Sequence, residues 1–227
     1  MDSEDEALKD VAAKARVVPL WSDYADFCTK LERGLRTEAF ATLERFIFVM
    51  ERLPFEERRR FVSWLSGEAD GQWERLGDIR LQSNPFSSRV RPAIHEAHRY
   101  GRKRRLIPHP LYVRLVEPTL LEWTLIEPLC SEPHLWLGYY DHLKRAIELD
   151  PDCQLARGRL IILILKDVGD SSHELPQGYL GDVKEDLAAL GEAEELLSGL
   201  SNEEDHAILA ADIAEQRRLI EDYLGNQ

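Results

Sequence analysis

Residues 136–152, Trp-Leu-Gly-Tyr-Tyr-Asp-His-Leu-Lys-Arg-Ala-Ile-Glu-Leu-Asp-Pro-Asp, run almost directly into a second apolar stretch at residues 154–165, Gln-Leu-Ala-Arg-Gly-Arg-Leu-Ile-Ile-Leu-Ile-Leu. Trp136, Tyr139, Tyr140, Leu143, Ala146, Ile147 and Leu149 recur at the spacing of one helical face, and Asp150-Pro151 closes the helix before the next one starts. The pattern predicts a helical hairpin. A short turn forces its two helices to pack antiparallel, so their apolar faces need further helices on either side to cover them.

The rest of the chain supplies such helices. Ala7, Leu8, Val11, Ala12 and Ala15 share one helical face near the start. Trp21, Tyr24, Phe27, Cys28 and Leu31 follow at helical spacing, with Gly34 as a stop. Phe40, Leu43, Ile47 and Met50 mark a third helix that Thr37 can cap, and Pro54 suits the first turn of a fourth over residues 55–65. The aromatic residues Phe40, Phe46, Phe48, Phe55, Phe61, Trp64 and Trp73 read as core filling. Prolines 118 and 128 interrupt the next stripe, which predicts a helix over residues 119–129 with an irregular last turn, and residues 168–181, which hold His173, Glu174 and Tyr179, lose the periodicity and read as a long loop. Two acidic helices over residues 182–197 and 202–224 close the chain, the second opened by a Ser201/Glu204 capping box. Alternation of period two is nowhere sustained, so the expectation is an all-α protein built of antiparallel helical hairpins. It divides into an N-terminal helical bundle (1–84), a basic connecting segment (85–118) and a helical region ending in an acidic hairpin (119–227).

Charge narrows the function classes. The chain has 42 Asp and Glu against 29 Lys and Arg, a net of −13. Residues 86–114 run the other way, with Arg89, Arg91, Arg99, Arg102, Lys103, Arg104, Arg105 and Arg114 against Glu96. Arginine forks suit phosphate or carboxylate, so Arg99, Arg102, Lys103, Arg104 and Arg105 are a candidate phosphate- or nucleic-acid-binding patch, or an island that pairs internally with the acidic remainder. Nucleic acid is the disfavoured partner, because the surrounding acidic field opposes the salt-dependent attraction. His95 and His98 are three apart and lack both the four-residue spacing and the third ligand of a metalloprotease site. His173 beside Glu174, with Ser171, Ser172 and Tyr179 near, is the one place where acid–base chemistry can be sought, yet sequence neighbours seldom converge on one reacting atom. No cofactor and no metal are expected. Three distant cysteines, Cys28, Cys130 and Cys153, suit a reducing compartment. The acidic start and the absence of any long apolar run lead to the expectation of a cytoplasmic protein off the membrane.

Residues 146–151, Ala-Ile-Glu-Leu-Asp-Pro, with Trp123 upstream and Leu160 downstream, resemble a degenerate tetratricopeptide repeat. The resemblance covers residues 119–165, and departs from the repeat pattern at Pro128, Tyr139 and Ile161. It implies right-handed stacking of hairpins in the C-terminal half and a scaffold that recognises other proteins. The expected function is therefore protein recognition without chemistry, in the specific form of an antitoxin- or immunity-type inhibitor of a basic partner. The rivals are an enzyme using the His173–Glu174 loop and a phosphate or nucleic-acid binder using the basic patch.

Overall fold

A computed structural model describes residues 3–70, 106–172, 175 and 178–226, and helix is the regular structure throughout them, with no strand among the described residues. The protein is all-α. It divides into two compact units, Met1–Ile126 and Glu127–Gln227. The expected boundary near residue 84 lies outside the described residues.

In the first unit α1 (Ser3–Arg16) packs on α2 (Ser22–Glu32), α2 on α3 (Arg36–Met50), and α4 (Phe55–Asp70) on α5 (Glu117–Ile126). Gly34, at φ 77°, ends α2 in the left-handed conformation that a glycine adopts without Cβ strain, and the Leu35 N–H reaches back to the Lys30 carbonyl at 2.9 Å. The helical stripes converge on an aromatic core. Trp21 stacks on Trp64 (centroids 4.8 Å), and Phe61 meets Phe46 (4.8 Å), Tyr24 (5.1 Å) and Trp21 (5.4 Å) edge-on. Such offset and edge contacts add about 0.5–1.5 kcal/mol per pair to the burial of ring area. Phe48 departs from the expected core: it is 55% exposed, and the Arg52 guanidinium covers its ring at 3.4 Å.

Pro118 does not break its helix. A helical turn at His109–Leu111 widens into a π turn at Tyr112–Val116, with Glu117 N–H bonded to the Tyr112 carbonyl, and α5 continues straight through the proline. Proline lacks an N–H and its ring crowds the carbonyl four residues back; a widened turn just upstream relieves that clash without ending the helix.

The second unit is a run of antiparallel neighbours: α6 (Ser131–Leu137), α7 (Tyr140–Leu149), α8 (Gln154–Ser172), α9 (Val183–Leu197) and α10 (Glu203–Gly225). Each packs on the next, and α8 also packs on α10. Ala146, Ala156 and Ala193 are fully buried among Leu160, Ile161, Ile164, Leu190 and Ile213, small side chains that let helix axes approach. Two boundaries differ from the sequence reading. The apolar stripe from Trp136 to Leu149 is not one helix, because Gly138 turns left-handed (φ 69°) and Tyr139 is extended, leaving Tyr139 48% exposed. The helix beginning at Gln154 does not stop at Asp167: Ile161, Ile164, Val168 and Ser172 stay on the buried face. The last of these is polar, and its hydroxyl donates to Gln216 Oε1 on α10 at 3.1 Å, so the stripe continues through a hydrogen bond where an apolar pattern would not register it.

Candidate functional site

Of the residues singled out in the sequence, Arg99, Arg102, Lys103, Arg104 and Arg105 lie outside the described residues, as do His95, His98, His173 and Glu174. Tyr179 is described. Its hydroxyl donates to Asp186 Oδ2 at 2.6 Å, and its ring stacks on Tyr223 (centroids 5.7 Å, planes 25° apart). It thus touches both the start of α9 and the end of α10. Burial, and then the Asp186 carboxylate, push the Tyr179 phenol well above its ordinary range, so it keeps its proton at neutral pH and acts as a donor and a ring rather than as a base.

The local sequence explains how α9 and α10 are held. Asp182 caps α9 by accepting the N–H groups of Lys184 (2.8 Å) and Glu185 (3.1 Å). Asn202 caps α10 in the same way, from Glu204 and Asp205 at 3.0 and 3.2 Å. Ser201, expected as the cap, instead gives its N–H and hydroxyl to Gln154 Oε1, and Gln154 Nε2 donates to the Gly199 carbonyl. The turn between the two helices is thereby tied to the start of α8. Lower on α9, Glu192 accepts the Tyr140 hydroxyl and pairs with Lys144 Nζ at 3.0 Å, joining α7 to α9. Burial works against the Glu192 carboxylate, but these two partners outweigh it and hold its pKa below the ordinary value.

The carboxylates of α9 and α10 divide into two groups. Glu194 pairs with Arg217, and Glu215 and Asp222 both pair with Arg218. Glu185, Glu195, Glu203, Glu204, Asp205 and Glu221 are exposed and make no ion pair among the described residues. Acid in a first helical turn is favoured by the helix dipole, which accounts for Glu185, Glu203, Glu204 and Asp205. The last turns should favour cations. Neither helix has a basic residue there; the last turn of α9 begins with Glu194 and Glu195, and that of α10 begins with Asp222, with Glu221 just before it.

One pair escaped the sequence reading. His134 on α6 and His142 on α7 face each other with Nδ1 atoms 2.8 Å apart, brought together by the break at Gly138. Burial first, then the His142 and Arg145 charges, hold His134 below its ordinary pKa. Two imidazoles do not make a metal site, and among the described residues no group of three or more His, Cys, Asp or Glu is placed to hold one. Burial pushes the Cys28 thiol up to about 12, far from the range of a nucleophilic cysteine. No helix among the described residues is long and apolar enough to cross a membrane. Comparison with protein-family models, with curated proteins and with solved structures finds no match for the chain.

Proposed function

We propose that this chain is a non-catalytic recognition module that binds a basic protein partner through the acidic face of α9 and α10, in the manner of an antitoxin- or immunity-type inhibitor. The observation that carries this reading is the placement of Glu195 and Glu221, exposed and without an ion pair among the described residues, near the two helix C-termini, against the helix dipoles and with no basic residue in either last turn. Helix stability does not account for them; a cationic surface opposite them does. Charge distribution supports the same reading. Residues 127–227 hold 22 Asp and Glu against eight Lys and Arg, a net of −14, whereas residues 1–126 hold 20 against 21 and are close to neutral. A field concentrated on one unit accelerates encounter with an oppositely charged protein. As part of the same proposal, α6 to α10 are a degenerate tetratricopeptide-like stack serving as the scaffold, a reading supported by their antiparallel neighbour-on-neighbour packing.

Affinity capture from the source cells with the native chain and with Glu195→Lys/Glu221→Lys tests the proposal. Both positions are exposed and unpaired, so the variant keeps its fold. The expected result is a basic protein retained by the native chain at low salt and lost with the variant. Retention of the same proteins by both chains rejects the reading.

A further inference from the structure

The unpaired carboxylates do not stand alone at the end of the hairpin where α9 begins and α10 finishes. Tyr179 and Tyr223, both half-buried, stack there, and next to them in the chain Leu180 is 64% exposed and Leu224 47% exposed. The first turn of α9 carries Glu185 and Asp186 after its cap Asp182, and the last residues of α10 include Glu221 and Asp222. Asp186 is engaged by Tyr179 and Asp222 by Arg218, so among the described residues Glu185 and Glu221 remain without a charged partner. Exposed apolar side chains with an aromatic pair, rimmed by one sign of charge, combine the two requirements for holding a long cationic side chain: surface for its methylenes and rings, and carboxylates for its head.

We propose that Tyr179, Tyr223, Leu180 and Leu224 form the seat for an arginine of a basic segment of the partner protein. This rests on the acidic-face reading above and adds the place and the side chain. Arginine fits better than lysine because a planar guanidinium stacks on tyrosine while its N–H groups fork to a carboxylate such as Glu185 in the first turn of α9. The exposed acids at the other end of the hairpin, Glu203, Glu204 and Asp205, lie in the first turn of α10, where the dipole already favours them, and in that turn no Phe, Tyr or Trp accompanies them.

The test uses the full chain and a fluorescein-labelled arginine–glycine repeat peptide, followed by fluorescence anisotropy at low salt. The expected result is that Tyr223→Ala weakens binding about tenfold, in line with the loss of a desolvated cation–π contact. Glu203→Gln/Glu204→Gln/Asp205→Asn, though it removes three charges, weakens it less than about threefold, the scale of exposed charge pairs. Leu180→Ser/Leu224→Ser, altering exposed side chains alone, weakens it in the same direction as Tyr223→Ala and serves if that variant lowers the melting temperature. Replacing arginine by citrulline in the peptide abolishes binding. Equal losses from the two ends of the hairpin, or unchanged binding by the tyrosine and leucine variants, overturn the seat while leaving the acidic-face reading standing. A lysine–glycine peptide that binds as tightly overturns the assignment to arginine. No binding by the native chain overturns both proposals.

Discussion

Tyr24 shows how a single polar atom is accommodated in an apolar core. Its ring is fully buried among Phe27, Phe46, Phe61 and Trp64, and its hydroxyl donates to the Leu106 carbonyl at 2.8 Å, joining two parts of the first unit that are 82 residues apart. Tyr24→Phe preserves the ring contacts and leaves the Leu106 carbonyl unpaired, so it is expected to cost about 1–2 kcal/mol in a denaturant titration. The two crowded glycines of the second unit separate by what stands in front of them. A Cβ on Gly181 would lie 2.3 Å from Ser171 Oγ and 2.7 Å from Ser171 Cβ, atoms fixed to the end of α8; on Gly199 it would meet the Arg157 guanidinium, the nearest atom at 2.5 Å. Gly181→Ala should therefore lose about 1–3 kcal/mol through overpacking. Gly199→Ala, where a flexible side chain swings aside, should stay within about 0.5 kcal/mol. Comparing the two unfolding midpoints checks the contrast.

At the scale of elements, the apolar stripes made the helices legible: Leu43 with Ile47 and Leu143 with Ala146 fall on the buried faces their spacing assigns. The boundaries were legible only where one residue settles them, as Gly34 does. Gly138 escaped because the stripe around it continues at nearly the right period, and the end of α8 escaped because Ser172 is held by Gln216, a partner 44 residues away that no local pattern announces. The candidate site divides in the same way. Tyr179 stands out in the sequence as an aromatic residue in a non-periodic stretch, but Tyr223 belongs to an ordinary helical pattern, and their pairing depends on the antiparallel packing of α9 and α10. The His134–His142 contact between α6 and α7 gives this level its own prediction. One neutral imidazole donates to the other; when both are protonated, two cations face each other. Because the folded His134 pKa lies below the ordinary 6.5, the unfolded chain takes up the proton first as pH falls. The contribution to stability is thus full above that value and declines below it. Denaturant midpoints measured across this range should fall on acidification, and His134→Gln should flatten the decline.

For the molecule as a whole, the division of charge is the main electrostatic fact. An excess of −14 on residues 127–227 means self-repulsion within one compact unit, while the other is nearly neutral. Salt added to a dilute buffer should raise the melting temperature of a fragment spanning residues 127–227, and the effect should shrink once the Debye length falls to about 8 Å near physiological ionic strength. A midpoint indifferent to salt would mean that the ion pairs to Arg217, Arg218 and Lys144 already balance the repulsion. The acidity of the chain was plain in its composition; its confinement to one unit depends on where the contacts divide, which composition does not record.

The Leu180 N–H is bonded to the Ser171 carbonyl at 2.9 Å, Gly181 leaves no room for a Cβ beside the same serine, and the Tyr179 hydroxyl is anchored to Asp186. A surface fastened at three points has already given up its conformational entropy when the polypeptide folds, so a visiting molecule displaces water and rearranges little backbone. Free and occupied forms should superpose within about 1 Å at these residues. Sequence changes there should then register mainly in how long a complex lasts rather than in how fast it forms.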